Sequence, residues 1–508
     1  MRWIAKVLIP FVFAGVAVGC GDDEQPVDPT TTSTGGAGGG DGGGGAGGNV
    51  GGGANFDAPY EWESRFVPGA YAVAHDGQTF RHVLIESMKS YIGGLTTKID
   101  GDMSPPQTQA ELVTALRYYY EFDESSSGGD AHGIATDPPP LATTFEGISS
   151  GKMLKDKFAG NDASTDHKEW TDGVSFVGWN DLSINGGQAI DSPETLLLAY
   201  FDTLGELVED RVNGTIPNEP GTTTPISKVY VTPTGLDLQQ LIQKFLLMGV
   251  AFSQGTDDYF DDATPDKGIL VSNAQDGDKP YSPLEHHWDE GYGFFGAAHD
   301  YSLYSDEEIA GSGGRDDWQV YHDTNGDGAI DFMRELNWGA ATNAAKRDLG
   351  ATIMVDLTKD AFDALVAGRE LIMAAGDPLT TDELDELRGH ATTAIAAWDQ
   401  AIAATVIHYI NDVIADTEAI DDAPASYSFY DHAKHFGELK GFALGLQFNP
   451  RSPISDVDFA SFHTLVGDKP VLADATPAER TAYVQSLLLA RDILEQSYGF
   501  ASENVEGW

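Results

Sequence analysis

Cysteine is nearly absent: Cys20 is the only one in the chain, so no intrachain disulfide can staple the fold. Basic residues are scarce as well. There are 29 Lys and Arg against 80 Asp and Glu, a net charge of −51, which argues against nucleic acid and anionic lipid surfaces as partners. No apolar run reaches the roughly 20 residues that a membrane-spanning helix needs; the stretch from Val7 to Val18 falls short of it. Strand signals are few, Lys228 to Thr232 (KVYVT) being one short candidate. Neither a phosphate-cradling Gly-x-x-x-x-Gly-Lys run nor a His-Glu-x-x-His helix occurs, so the chemistry tied to those motifs is not expected.

What is present begins with a charged start (Arg2, Lys6), a short apolar stretch, and the small residues Ala17-Val18-Gly19 leading into Cys20. That is the pattern of a lipoprotein signal peptide over residues 1–20, with Cys20 as the lipidated residue. Residues 21–55 are mostly Gly with Asp, Thr and Pro; such a segment buries too little apolar surface to offset its ordering entropy. It predicts a tether with a root-mean-square span of roughly 30 Å. The expected location is therefore outside the cytoplasm, lipid-anchored to a bacterial cell envelope, on the periplasmic face or the outer-membrane surface.

The remaining residues, 56–508, carry helical periodicity from Arg81 to Leu95 through Pro477 to Ser497, interrupted by a Gly/Pro/Ser/Asp-rich excursion from Ser125 to Asp191. This predicts a mostly α protein of packed helical bundles with long irregular loops and few short strands. A division into two pseudo-repeated bundles, about 56–300 and 301–508, is compatible with the length.

One motif occurs twice. His287-x-x-Glu290-x-x-Gly293-Phe294 and His435-x-x-Glu438-x-x-Gly441-Phe442 share the same spacing. Residues three apart share a helix face, so each copy can present an imidazole beside a carboxylate. Two such helices facing each other would supply two His and two Glu, a set suited to iron or zinc, with His286, Asp289 and His432 as helpers. A buried hydrogen-bond network is the rival explanation. The glycines fall where a missing side chain lets another backbone come close.

The runs HHWDEGYGFFGAAHDY, NWGAATNAAKRDLG and HFGELKGFALGLQFNP resemble the uncharacterised bacterial lipoprotein family known as domain of unknown function 4856, which carries no established activity. A more distant similarity is to imelysin-like envelope proteins, helical double bundles associated with iron uptake. Their Gly-x-His-x-x-Glu signature is matched only at its His and Glu positions, because Glu285 and Ala433 stand where the glycine would be. This resemblance implies a metal-linked envelope role with uptake partners.

A second motif, Asp323-Thr324-Asn325-Gly326-Asp327-Gly328-Ala329-Ile330-Asp331, has the alternating oxygen donors and central glycine of a calcium loop. The expected ligands are Asp323, Asn325, Asp327, the Ala329 carbonyl and Asp331. Arg334 occupies the usual twelfth position and Glu335 follows it, so Glu335 is the remaining candidate. Together these features predict a lipid-anchored protein that binds a metal through the paired helices, without catalysis, as an accessory in iron acquisition. The alternatives are a metal-dependent hydrolase with Glu290 or Glu438 as general base, and a calcium-stabilised surface interaction module.

Overall fold

The computed structural model describes residues 59–127, 129–162 and 176–508. The signal segment, Cys20 and the tether of residues 21–55 lie outside the described residues.

The longer helices follow the periodic stretches closely. They are α1 (Asp76–Gly93), α2 (Gln109–Tyr120), α3 (Pro193–Val212), α4 (Leu238–Leu246), α5 (Pro283–Phe295), α6 (Gly339–Gly350), α7 (Leu357–Ala374), α8 (Thr381–Asp422), α9 (Phe429–Gly445), α10 (Asp456–Val466) and α11 (Pro477–Tyr498). Their starts are written locally. Ser282 caps α5, Thr380 caps α8 and Thr476 caps α11, each in a reciprocal capping box with a Glu three residues on, which satisfies backbone N–H groups that the first turn leaves free. Beyond Leu246, α4 widens into two π-helical turns, Leu247–Phe252 and Gln254–Tyr259.

α8 is the axis of the packing, lying against α7, α9, α11 and α6, while α9 in turn packs on α4, and α5 on α7 and α1. Ala391, Ala394, Ala401, Ala403 and Ala404 of α8 are all buried, and small side chains there let its neighbours approach. One continuous apolar cluster runs from Tyr60 to Trp508 and draws on residues of both 56–300 and 301–508.

The stretch Lys228 to Thr232 does not become a strand. Its pairing reduces to one bridge between Val231 and Asp237, because Pro233 has no N–H to donate and Gly235 (φ 81°) reverses the chain at once. Among the described residues, only isolated bridges of this kind occur.

A glycine stripe sets the contact between α9 and α4. Gly437, Gly441 and Gly445 recur at four-residue spacing, and a Cβ on them would meet the Asp237 carbonyl at 2.9 Å, the Lys244 Cβ at 2.6 Å and the Met248 Cβ at 2.2 Å. Gly441→Ala should therefore force the two helices apart and cost about 1–3 kcal/mol. Gly389→Ala, on α8 with nothing near its Cβ, should instead stabilise by about 0.5–1 kcal/mol. Paired urea titrations measure both; equal effects at the two sites would refute the close-approach account.

Candidate functional site

The two His-x-x-Glu motifs fall on α5 and α9, as their spacing requires, but these helices take different partners. α5 lies chiefly on α7 and the second π-helical turn, α9 on α8 and α4. In the first copy, His287 Nδ1 is 3.1 Å from the Gly268 carbonyl oxygen, and burial holds its imidazole below the ordinary range. Glu290 accepts from Gln78 Nε2 at 2.9 Å and from the Tyr259 hydroxyl at 3.4 Å, with His286 Nε2 3.7 Å away. In the second copy, His435 Nδ1 is 2.7 Å from Asp416 on α8. Burial opposes its protonation, but Asp416 outweighs that and raises it. Glu438 is fully buried, 3.2 Å from the Lys244 ammonium.

The helper residues are likewise engaged. Asp289 belongs to a fully buried ion cluster in which Arg369 of α7 reaches Asp289 at 2.8 Å and Glu285 at 3.4 Å, while the Tyr60 hydroxyl donates to Asp289 at 2.8 Å. His286 stacks on Tyr281 at 4.7 Å between ring centroids. His432 is enclosed beside Thr417 and Tyr427, and burial pulls its imidazole down to about 4. Among the described residues, no three His, Cys, Asp or Glu side chains stand close enough to hold a metal ion as placed. The paired-helix site expected from His287, Glu290, His435 and Glu438 is not assembled, because each side chain is turned to neighbours of its own helix's packing.

The shared glycines of the motif have a packing role in both copies. Gly441 lies against α4, and a Cβ on Gly293 would stand 2.6 Å from the His75 Cβ. The string Gly147-Ile148-Ser149-Ser150-Gly151 has the spacing of a nucleophile elbow, but Ser149 ends a four-residue helical turn and donates to Asp76 at 2.7 Å. It does not stand between a strand and a helix, as an elbow serine must.

The calcium-type loop is compact. Asp323 accepts from the amides of Gly326, Asp327 and Gly328 at 2.8–3.2 Å, Asn325 from Asp327, and Asp327 from Ala329. Gly326 and Gly328 take φ of 71° and 84°, which favours residues lacking a Cβ. Glu335, buried beneath, clasps the two ends of the loop: its carboxylate accepts from Thr324 N at 3.0 Å and from Asp331 N at 2.8 Å. Its part in the loop is thus that of a brace to the backbone.

Beside this loop opens a cavity of about 300 Å³, lined by Pro59, Glu61, His299, Asp300, Leu303, Trp318, His322, Thr324 and Arg334. His299 is 2% exposed. Its Nε2 lies 3.0 Å from His75 Nε2, and its Nδ1 lies 3.1 Å from the Tyr71 hydroxyl. Burial pulls both imidazoles down, Glu61 partly opposing this at His299, so one ring can donate and the other accept. Asp300 is 7% exposed, and neither carboxylate oxygen has a side-chain hydrogen-bond partner among the described residues. Burial pushes its carboxyl up to about 7, its own backbone amide opposing the shift and Glu335 and Glu61 adding to it.

Residues 199–307 match the domain of unknown function DUF4856. No curated protein and no solved structure matches the chain. The DUF4856 match spans the first His-x-x-Glu motif and supplies His299, Asp300 and Leu303 to the cavity; the calcium-type loop and the second motif lie outside it. Asp300 was not singled out from the sequence. It lies in the run Gly296-Ala297-Ala298-His299-Asp300-Tyr301, where an acidic residue follows an apolar helix end, and that context was the available signal.

Proposed function

We propose that the protein is an exported, lipid-anchored envelope protein that binds a small polar solute, without catalysis, in the cavity beside Asp300. The carrying observation is Asp300, which lines the cavity and is 7% exposed, and whose two buried carboxylate oxygens have no side-chain hydrogen-bond partner among the described residues, its own backbone amide being the main group that favours the charged form. Burying a charge without a partner costs several kcal/mol, and polar groups that strain a fold in this way cluster where a ligand satisfies them. The lipid anchor rests on Cys20 and its preceding residues, and the acidic surface on the net charge of −51. Iron or zinc capture by the paired helices and hydrolysis at Glu290 or Glu438 are less well supported, since these side chains are engaged separately by Gln78, Lys244 and Asp416.

Calcium fits the loop through Asp323, Asn325, Asp327, the Ala329 carbonyl and Asp331, an all-oxygen donor set. Bound there, it would rigidify the segment that carries Thr324 and Arg334 into the cavity wall. If calcium binds the folded state alone, a concentration 100 times its Kd adds about 2.7 kcal/mol, so thermal unfolding of the full-length protein in detergent should rise by several degrees on replacing EDTA with millimolar calcium. Asp323→Ala with Asp327→Ala should abolish the rise. Equal unfolding temperatures in EDTA and calcium would refute the calcium reading. For the cavity, calorimetric titration with amino acids, simple amines, carboxylates and sugars should give saturable binding by at least one class, lost when Leu303→Trp fills the opening. Silence from all of them would refute solute binding.

A further inference from the structure

His299 is the residue to which the chain ahead of α1 is fastened. Its carbonyl accepts from Tyr60 N at 2.7 Å, its Nδ1 is 3.1 Å from the Tyr71 hydroxyl and 3.8 Å from Glu61, and its Nε2 is 3.0 Å from His75 Nε2. Its own amide donates to the Arg334 carbonyl at 2.7 Å, which ties it to the segment that follows the calcium-type loop. Residues 59–75 form a strap that doubles back on itself, with Ala72 N donating to the Trp62 carbonyl at 3.0 Å and a bridge between Glu63 and Tyr71. Both arms of the strap meet at His299. The outer arm supplies Pro59 and Glu61 to the cavity wall, and the inner arm ends in His75 at the start of α1. The bend between them is pinned elsewhere, Arg65 Nε lying 2.9 Å from Glu285.

Two imidazoles set Nε2 to Nε2 share a hydrogen bond only while a single proton lies between them. A first added proton puts a charge on a ring closed off from water, which is costly, and a second sets two N–H groups head to head at 3.0 Å. Burial is the largest influence on both rings and disfavours their charge. The groups that face them are mixed: Glu61 and Asp331 favour a charged His299 and Arg334 opposes it, while His82 of α1 and His286 of α5 oppose a charged His75. Tyr60, Tyr71 and Tyr292 pack on the pair as neutral hydroxyls, their ionisation pushed up by burial. Asp300, next in the chain, becomes neutral as pH falls, so it does not drive opening. We infer that the His75–His299 contact is an acid-sensitive clasp: at neutral pH it holds both arms of the strap closed beside the cavity, and protonation of the pair releases them, opening the wall that Pro59 and Glu61 form. A ring freed to water ionises near 6.5, so at pH 5 the open form gains about 30-fold for each ring that stays neutral when closed. The clasp does not depend on what fills the cavity; where the solute-binding reading above holds, acidification weakens that binding as the wall opens.

The test is amide hydrogen exchange of the full-length protein in detergent, each rate divided by the intrinsic rate at the same pH. Between pH 7.5 and 5.0 the protection of peptides containing Tyr60 and Ala72 should fall by about 10-fold or more, while peptides from the buried middle of α8, around Ala403 and Val406, keep theirs. His75→Gln with His299→Gln, which retains amide donors and acceptors but takes up no proton, should show no such fall. Glu61→Gln alters a side chain that is 44% exposed and leaves both rings in place; it should move the midpoint of opening to lower pH, because Glu61 favours the charged form of His299. Unchanged protection at Tyr60 and Ala72, an equal fall in the double variant, or a parallel fall in α8 overturns the clasp. If circular dichroism shows the double variant unfolded at pH 7.5, the Glu61→Gln shift decides, and a midpoint that stays or rises overturns the clasp. Solute titration is a separate arm: silence from every solute refutes solute binding and leaves the exchange result standing.

Discussion

Arg369→Met should destabilise the protein by about 3–5 kcal/mol, the cost of removing one partner from a buried ion pair. Arg369, Glu285 and Asp289 are all fully buried. Burial disfavours the arginine's charge, but Asp289 beside it outweighs this and holds the guanidinium above its ordinary range. The two carboxylates differ in what they would keep. Glu285 retains Arg65 Nε at 2.9 Å and the Ser282 amide at 2.7 Å, whereas Asp289 retains only the Tyr60 hydroxyl at 2.8 Å. The loss therefore concentrates on Asp289, and adding Asp289→Asn to the Arg369→Met variant should recover a large part of it by replacing a stranded charge with a neutral group of the same shape. Urea unfolding of wild type, both single variants and the double variant measures the coupling. A loss under about 1 kcal/mol for Arg369→Met, or a double variant no better than the single one, would sink this account.

The same cluster explains why the helices were legible from sequence and the site was not. Helices such as α8 and α11 are announced by periodic apolar positions and by Thr380 and Thr476 with a Glu three residues on; those signals are local, so a window of sequence contains them. Asp289 has no local mark that separates a metal helper from an ion-pair partner. What decides its role is Arg369, 80 residues away. The cavity poses the same problem, since its wall gathers Pro59 and Glu61, His299 to Leu303, and Trp318 to Arg334 from three separate stretches.

The duplicated His-x-x-Glu motif was legible as a helical pattern, and at Gly441 another backbone does come near, whereas at Gly293 the close neighbour is the His75 side chain. The described residues do not gather three such donors as placed, because spacing along a helix says which residues share a face and nothing about which face meets which. Gly437, Gly441 and Gly445 show where the stronger signal lay: three glycines at four-residue intervals describe a close helix contact more directly than His435 and Glu438 describe a metal site. KVYVT misled for the opposite reason. Its residues have high strand propensity, yet Pro233 and Gly235 turn the chain before a partner can be reached.

Asp300→Asn should raise stability by about 2–4 kcal/mol at pH 8 and change it little at pH 4. The folded protein holds this carboxyl at about 7, because burial, with the nearby Glu335 and Glu61, disfavours its charge, its own backbone amide and Arg315 offsetting only part of that. In the unfolded chain it ionises near 3.9. A raised carboxyl contributes its full share of stability below the unfolded value and loses it as pH rises through the folded one, so wild type is penalised increasingly between about 4 and 7. Asparagine cannot ionise and escapes the penalty. Three pH units correspond to about 4 kcal/mol, an upper bound for a group beside an open cavity. Other groups titrate in the same window: burial holds His82 and His432 down to about 4, which removes stability as pH falls from 6.5. Those residues are unchanged in the variant, so the difference between the two proteins isolates Asp300. Urea midpoints at pH 4, 6 and 8 give that difference, and a gap that stays flat with pH would mean the carboxyl is not held neutral by its surroundings. A rising gap together with lost solute binding would place at one residue both a stability cost and the function that retains it, the trade expected of a binding site.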